Sequence, residues 1–423
     1  MSLVDNELKM NYTLVKNKEL DKKKIILEHL CWFLMGAQIV VDNLARNSVF
    51  YTITAMLFML LCIFYLFKCR GFKLNGFHIT SFTFILYNIA LITTGEAVAP
   101  GHSYGMLQTV SINLLLSIII YSFIVNTKNT EKLLKLYIFS SLISNVVLLI
   151  VYKDSLFTGR LAFSWREAST YNIFGLNLTT VGSNAIAYYS SLSIIFSVYL
   201  IFKKNKGKIY YFYSLIFLVT ILATGSRKGL VLLVLGLIMT LTVLNKGSKK
   251  VLYGSIGLII SGILYYLTQS IPLLYSVLGA RLNEFINLIS NENVNDASIY
   301  TRLRLLDQAM DLFKERPIYG YGLDAFRVIN LWGIVSDSNY MEILVSGGII
   351  GFIIYYAYVL IVLFKYMSIR KKSTICRMLF WILLITLIME YGQVTYYWRS
   401  YLFLYSMLFY VMYTNRKLIR DDE

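Results

Sequence analysis

The sequence predicts an all-α polytopic membrane protein with about twelve transmembrane helices. Apolar residues make up 57% of the chain and charged residues only 15%, with a mean hydropathy of +0.62. Soluble domains carry about 25% charged residues, so this composition leaves too much apolar surface for a soluble globule. Apolar runs that alternate with short charged links favour helices that cross a bilayer.

Twelve apolar runs are long enough to be read as spans, since a bilayer needs about 17 to 25 residues of helix. They lie at 25–41, 49–67, 77–95, 105–125, 133–152, 182–202, 209–224, 229–244, 251–268, 339–364, 378–392 and 400–413. The residues before the first run are polar and lack the apolar core and cleavage site of a signal peptide, so that run is predicted to span.

The four cysteines form no CxxC pair and indicate packing residues rather than a disulfide or zinc site.

Lys and Arg predict the orientation, because cytoplasmic links are enriched in them. With both termini inside, 27 of the 40 cations fall in inner segments and 13 in outer ones. The predicted plan is a cytoplasmic tail, nine helices, an extracytoplasmic helical loop, three helices and a second cytoplasmic tail, at 1–24, 25–268, 269–338, 339–413 and 414–423. The net charge of +17 follows this topological pattern, so no nucleic-acid binding is predicted.

The outer cations differ in kind from the inner ones. Lys supplies 22 of the 27 inner cations, whereas Arg supplies ten of the 13 outer ones, namely Arg46, Arg160, Arg166, Arg227, Arg281, Arg302, Arg304, Arg316, Arg327 and Arg399. Arg presents a planar fork that binds phosphate or carboxylate through two hydrogen bonds. The outer face is therefore predicted to hold an anion; pairing with acids such as Glu284 or with lipid phosphates is the structural alternative for any single Arg.

Two outer links are long, at about 153–181 and 269–338. In the second, an apolar stripe at steps of four and three predicts one face of a helix that ends at Pro317: Ile299, Leu303, Leu306, Met310 and Phe313. The stretch "RLNEFINLI" from Arg281 predicts another short amphipathic helix. Such helices would lie on the bundle or the membrane surface, either as a plain lid or with Arg side chains available above it.

Several short motifs carry a resemblance to a known family. They are "ATGSRKGL", the "GAR" ending at Arg281, "YTRLRLLDQAMDLF" followed by "PIYGYGLDAF", and "DSNYMEILVSGGIIG", whose "SGGIIG" is expected to begin a closely packed helix. Their order and shared sidedness, over roughly residues 180–355, resemble the O-antigen ligase and Wzy-type polysaccharide polymerase family. The resemblance implies a GT-C-like helical architecture.

The resemblance also implies an activity. Members act on the outer face of the cell membrane, transferring glycan from a polyprenyl-diphosphate carrier without a nucleotide sugar, metal or cofactor. A polymerase moves the growing chain onto the next lipid-linked repeat unit of a capsule, exopolysaccharide or O-antigen. The implied partners are the lipid-linked donor and acceptor and membrane lipids, with a chain-length regulator and a flippase as further candidates.

Carried over by position, the implied essential arginines are Arg227, Arg281 and Arg302 or Arg304. Independently of any family, a departing diphosphate accumulates negative charge that fixed Arg forks stabilise, by roughly 10²–10³ in rate per donor. Asp337 is the candidate base, because activating an acceptor hydroxyl needs one nearby. Candidate substrate-binding residues complete the set: Lys228, Arg160, Tyr321, Asn339 and Tyr340.

One position departs from the family pattern, and alternatives stay open. Ligases of the family usually carry His before the Asn of the re-entry, where this chain has Ser338; His102 lies in another outer link. A ligase of the family differs from a polymerase mainly in the molecule that accepts the glycan. A lipid-linked oligosaccharide flippase or a secondary transporter is the other class, and the intramembrane acids Glu28 and Glu390 keep transport open. A purely structural or sensor protein would leave the outer Arg excess unexplained.

Overall fold

The computed structural model describes residues 2–45, 48–69, 71–153, 170–173, 176–179, 182–204, 207–245, 247–290, 297–369 and 373–420. Nearly all of these residues are helical, as predicted. The first nine helices are α1 (Ser2–Leu44), α2 (Val49–Lys68), α3 (Gly76–Thr93), α4 (Pro100–Thr127), α5 (Thr130–Val151), α6 (Ser183–Lys204), α7 (Ile209–Thr224), α8 (Arg227–Leu244) and α9 (Ser248–Ser270). A small antiparallel hairpin of β1 (Thr170–Ile173) and β2 (Leu176–Thr179) is an exception to the predicted all-α fold.

The second long link is helical too. It contains α10 (Pro272–Leu274), a π-helical turn (Tyr275–Gly279), α11 (Ala280–Ile289), α12 (Ala297–Glu315) and α13 (Ala325–Ile329). Three helices complete the chain: α14 (Asn339–Ile369), α15 (Thr374–Glu390) and α16 (Arg399–Arg420). Helices α11 and α12 cover the two stretches of this link for which the sequence predicts amphipathic helices.

Each of the twelve predicted apolar runs coincides with a helix, α1–α9 or α14–α16. Within the described ranges, nine helices are long and apolar enough to cross a membrane. The apolar segments Ile209–Thr224 and Tyr401–Met412 are shorter. The multi-spanning character is thus supported, while the number of twelve crossings and the orientation stay predictions.

Helix α6 lies inside the bundle, packed against α5, α7 and α8. Its small polar side chains make this close packing feasible. Ser190, Ser193 and Ser197 are fully buried, and each hydroxyl donates to the carbonyl four residues earlier, at 2.7 to 2.9 Å. Helices in lipid associate through such small residues, which let backbones approach closely.

The segment after Pro317 is hydrogen-bonded to α14 beside a break in that helix. The amides of Tyr321 and Gly322 donate to the carbonyls of Val345 and Ser346 at 2.8 and 2.9 Å. At the break, Gly348 has φ +60°, and a Cβ there would lie 2.2 Å from the Ile318 carbonyl oxygen. The "SGGIIG" motif was expected to begin a helix; instead, α14 begins at Asn339 and the motif interrupts it. Its expected role in close packing is confirmed.

The predicted stripe of α12 is only partly buried. Ile299 is buried, but Met310 is 40% exposed. The fully enclosed residues of α12 are Leu305 and Ala309, which pack in one cluster with Phe326 of α13. Because α12 packs against α14 through this neighbouring face, Leu303 and Leu306 are left to line a cavity.

Candidate active site

The motif "TGSRKG" forms a tight turn between α7 and α8. Gly225 ends α7 with φ +58°, a left-handed conformation that suits glycine. Ser226 caps α8, its side chain accepting a hydrogen bond from the amide of Gly229 at 3.2 Å. Arg227 and Lys228 are consequently the first two residues of α8. A helix N-terminus is the end that disfavours cations and attracts anions, so two cations there indicate an anion-binding position.

This turn is held against α6 by short contacts. A Cβ on Gly229 would lie 2.3 Å from the Cβ of Ala187. Ser191 donates to the carbonyl oxygen of Gly229 at 2.8 Å, and the Ser226 hydroxyl donates to Asn184 at 2.8 Å. The first turn of α8, with its two cations, therefore has a fixed position on the bundle.

Arg227 and Arg281 tie the turn to α11. Arg227 Nη1 donates to the carbonyl oxygen of Arg281 at 3.0 Å, and Arg281 Nη1 donates to that of Gly225 at 3.3 Å. Gly225 follows the last turn of α7, where cations interact favourably with the helix dipole. Arg281 therefore acts on the backbone of the turn, whereas Arg227 also lines the cavity beside it.

Arg302 and Asp337 form an ion pair at the edge of the same cavity. Arg302 Nε lies 2.6 Å from Asp337 Oδ2, and the two side chains are 28% and 35% exposed. Asp337 has φ +60°, a left-handed conformation that is uncommon outside glycine and tolerated best by Asn and Asp. The pair joins α12 to the segment that leads into α14.

A cavity of about 260 Å³ brings four of the predicted residues together. Arg227, Lys228, Arg302 and Asp337 all line it. The remaining wall is largely apolar, from Val231, Leu282, Ile299, Leu303, Leu306, Ile388, Met389, Tyr391 and Gly392. The lining thus combines three cations and one carboxylate with an apolar surrounding, a composition suited to a multiply charged anion.

An apolar groove adjoins this cavity. It has a volume of about 470 Å³ and shares Ile388 and Tyr391 with the cavity. Its other lining residues are Leu235, Met239, Tyr340, Trp381, Leu384, Ile385 and Leu387. The Tyr340 hydroxyl donates to the Leu387 carbonyl at 2.6 Å, so its polar atom is engaged while its ring faces the groove. The charged cavity and the apolar groove thus lie side by side.

Arg304 and Tyr321 do not line this cavity. Arg304 is exposed on α12 and stacks on Tyr300, 4.5 Å from the guanidinium carbon to the ring centroid. Tyr321 is buried, and its hydroxyl donates to Glu315 at 2.7 Å. Burial and this hydrogen bond raise the Tyr321 pKa to about 12, so the phenol stays protonated at neutral pH.

Asn339 lies inside the bundle, fully buried. Its side-chain oxygen accepts from the amides of Thr395 and Tyr396 at 2.9 and 3.0 Å, and its amide nitrogen donates to Tyr356 at 2.7 Å. Glu390 accepts from Tyr356 at 2.8 Å in the same network. These contacts hold the segment between α15 and α16, so Asn339 stabilises the cavity wall rather than facing the cavity.

Glu28 and Glu390, the acids of the predicted spans, are both hydrogen-bonded within the bundle. Glu28 accepts from Trp32 at 3.2 Å and from Tyr65 at 3.5 Å. Glu390 also accepts from Thr395 at 2.7 Å.

Of the predicted site residues, Arg160 lies outside the described residues, as do the outer arginines Arg46 and Arg166.

The part of the cavity that the sequence does not predict comes from the end of α15. A Cβ on Gly392 would lie 3.2 Å from Lys228 Cε, so this glycine leaves room for the lysine side chain. Ile388, Met389 and Tyr391 complete the apolar wall. Their position at the end of a hydrophobic run is typical of any span, and so gives no signal in the sequence.

A scan of protein families matches residues 212–356 to the family described as O-antigen ligase. The match covers about a third of the chain and includes Arg227, Lys228, Arg302 and Asp337, whereas the α15 wall lies beyond it. No curated protein matches the chain. The chain therefore carries an O-antigen ligase family domain at residues 212–356, which confirms the resemblance seen in its motifs.

Proposed function

We propose that the chain is a membrane glycosyltransferase that polymerises polyprenyl-diphosphate-linked oligosaccharide units on the outer face of the cell membrane. The family match implies glycosyltransferase-type activity on lipid-linked glycans in a membrane. The polymerase specificity, the outward orientation and the site assignment are parts of the proposal.

One observation carries it: the cationic cavity and the apolar groove share a wall at Ile388 and Tyr391. A lipid diphosphate has the same two parts, an anionic head and a long apolar chain. The head would occupy the cavity beside Arg227 and Arg302, with the isoprenoid chain in the groove along α8 and α15. A soluble nucleotide sugar would have no use for the groove.

Leaving-group stabilisation would come from the cations. As the bond between the sugar C1 and the diphosphate oxygen breaks, negative charge builds on that oxygen. Arg227, Lys228 and the first turn of α8 would stabilise this charge, and the surrounding apolar wall would strengthen the interaction. Arg281 would act indirectly, by holding the turn that carries Arg227.

Asp337 would accept the proton of the acceptor hydroxyl as the new C1–O bond forms. Arg302 engages Oδ2 of this carboxylate and so fixes its orientation. The proton would then pass to solvent or to the departing diphosphate. Positioning of acceptor and base beside the donor C1 is the kind of general base catalysis that contributes about 10²–10⁴ in rate.

A ligase is the second candidate, because the matching family is described as O-antigen ligase. The same cavity would serve it, with a different acceptor hydroxyl. Ser338, at the position where ligases of the resembling family usually carry His, is fully buried, and its backbone carbonyl accepts from the Ser336 hydroxyl. This buried serine favours the polymerase.

The test reconstitutes the purified protein in liposomes with lipid-diphosphate-linked repeat units and analyses the glycans by gel. A ladder of longer chains is expected, reduced at least tenfold by Arg227→Lys. Arg304→Lys is the matched control, because this exposed arginine lies outside the cavity and should change nothing. Transfer only to an added second acceptor would indicate a ligase. Movement of the intact unit across the membrane without transfer would indicate a flippase and overturn the proposal.

A further inference from the structure

A second concavity lies on α4, separate from the Arg227 cavity. It has a volume of about 450 Å³ and is open to the surface. We call it the His102 site; its lining residues are Gly101, His102, Gly105, Met106, Thr109 and Asp324. None of them lines the Arg227 cavity or the apolar groove.

Asp324 is the central polar group of the His102 site. Its side chain is only 7% exposed, although it lines the concavity. Oδ2 lies 3.4 Å from His102 Nδ1, which must donate to it, so that Nε2 of the imidazole is left to a ligand. Oδ1 lies 3.3 Å from Arg327 Nε, so the carboxylate stands between a guanidinium and an imidazole.

The wall that carries Asp324 is held firmly on α4. Ser103 donates to the carbonyl oxygen of Leu323 at 2.8 Å, and the amide of Val98 donates to the Tyr321 carbonyl at 2.9 Å. Gly322 approaches so closely that a Cβ there would lie 2.8 Å from the Cβ of Ala97. The concavity is therefore formed in advance of any ligand.

Two glycines line the α4 side of the His102 site. Gly101 and Gly105 are one helical turn apart on α4, and a Cβ on either would meet nothing within 4 Å. The space beside them is therefore open. A larger side chain at Gly105 would enter the concavity without disturbing the packing of the bundle.

The charges of the His102 site favour an uncharged ligand. Asp324 disfavours an anion, and its ion pair with Arg327, which lies behind the lining, offsets its attraction for a simple cation. Hydroxyl groups fit both partners, because they donate to a carboxylate and also accept from or donate to an imidazole. A compound with several adjacent hydroxyls, such as a sugar, matches this arrangement best.

The position of the site also suits a glycan. The 28 residues of α4 extend about 42 Å, whereas the hydrocarbon core of a bilayer is about 30 Å thick. Its apolar part is the later one, Leu114–Val125, so the first turns are expected to project beyond the hydrocarbon. The bonds from Val98 and Ser103 to the 317–324 segment put the site at the end of the bundle where that long link lies.

We infer that the His102 site binds the glycan portion of the substrate or of the growing chain, with sugar hydroxyls on Asp324 and His102. The inference rests on the proposed function for the identity of the ligand. It adds a second contact point, so the chain would be held both at its diphosphate end and along its sugars. Loss of the site should therefore shorten the products more than it slows the first transfer.

The experiment uses oligosaccharide repeat units released from the lipid carrier by mild acid, and measures their binding to the detergent-purified protein by saturation-transfer NMR. Gly105→Leu should weaken binding at least tenfold. Gly262→Leu, on α9, is the matched control, because a Cβ there also meets nothing within 4 Å. Asp324→Asn should weaken binding too, and its thermal unfolding shows whether the fold is retained.

The outcomes separate this inference from the proposed function. If wild-type protein elongates lipid-linked units while Gly105→Leu binds free units and makes full-length products, the His102 site is wrong and the function stands. If wild-type protein fails to elongate but binds free units in a way that Gly105→Leu abolishes, the function is wrong and the site stands. If wild-type protein binds no free unit, the inference is overturned.

Discussion

Arg302 and Asp337 are joined by a charge-assisted hydrogen bond of 2.6 Å between Nε and Oδ2. The arginine comes from α12 in the long link, and the aspartate precedes α14 by two residues. The bond engages Nε and so fixes the plane of the guanidinium. That plane sets the direction in which the two terminal nitrogens point. The pair thus couples the proposed base to a proposed phosphate-binding group.

Replacing Arg302 by Lys should lower the transfer rate about 10²-fold or more. Lys keeps the charge but lacks the planar fork that can hold Asp337 and a phosphate at once. Initial rates with lipid-linked donor would measure the effect. Arg304→Lys, two residues away on another face of α12, should retain the wild-type rate. Equal losses in both variants would argue against a specific role for Arg302.

Replacing Asp337 by Asn should abolish most activity while the protein remains folded. Asn tolerates the left-handed backbone conformation at φ +60° almost as well as Asp does, so the change removes mainly the negative charge. We expect a rate reduced about 10²–10⁴-fold with little change in thermal unfolding temperature. Asp311→Asn is a matched control, since Asp311 is a 72% exposed acid on α12. Undiminished activity of Asp337→Asn would exclude it as the base.

Replacing Gly229 by Ala should destabilise the turn that carries Arg227. The new Cβ would come within 2.3 Å of the Ala187 Cβ and 3.2 Å of its backbone, so α8 must move away from α6. Overpacking of this kind costs about 1–3 kcal/mol in the free energy of unfolding. The measurement is thermal unfolding in detergent. Gly262→Ala, where the space is open, should be neutral or slightly stabilising; similar losses in both would contradict the packing at Gly229.

Replacing Asn339 by Ala should lower the thermal stability of the protein and leave its KM for the substrate unchanged. The change leaves the buried amides of Thr395 and Tyr396 without their acceptor. Each unsatisfied buried group costs about 1–3 kcal/mol. A large fall in the unfolding temperature is expected, together with an unchanged KM in the fraction that remains folded. A raised KM at normal stability would instead support the sugar-binding role predicted from the sequence.

Filling the groove with Leu384→Trp should weaken the use of long isoprenoid donors selectively. The added ring would occupy part of the 470 Å³ that the chain is proposed to fill. We expect KM to rise several-fold for a full-length polyprenyl donor and to change little for a donor with a short prenyl chain. Leu258→Trp, at a 63% exposed position on α9, is the control. An equal effect on both donors would contradict a chain-binding groove.

The sequence predicts much of the helical plan, because long apolar runs have few alternatives to helices. It also predicts Arg227, Lys228, Arg302 and Asp337, whose charges stand out beside apolar runs. It separates Arg302 from Arg304 poorly. Two positions two residues apart on a helix point to different faces, but which face meets the cavity depends on how α12 packs.

The structural role of Asn339 is beyond sequence analysis for a different reason. A buried Asn and an exposed Asn look alike in a sequence, and Asn339 depends on partners more than fifty residues away, Thr395 and Tyr396. The break at Gly348 likewise depends on its contact with Ile318. Close approach between distant segments decides both features.

The central claim is that the cavity at Arg227 and Arg302 holds the diphosphate. The most direct measurement is an experimental structure of the protein in lipid nanodiscs with a non-cleavable lipid-linked donor analogue. We predict phosphate oxygens within hydrogen-bonding distance, about 2.7–2.9 Å, of the Arg227 and Arg302 guanidiniums, and the isoprenoid chain beside Tyr340 and Trp381. A diphosphate bound elsewhere on the bundle, with this cavity unoccupied, would contradict the account.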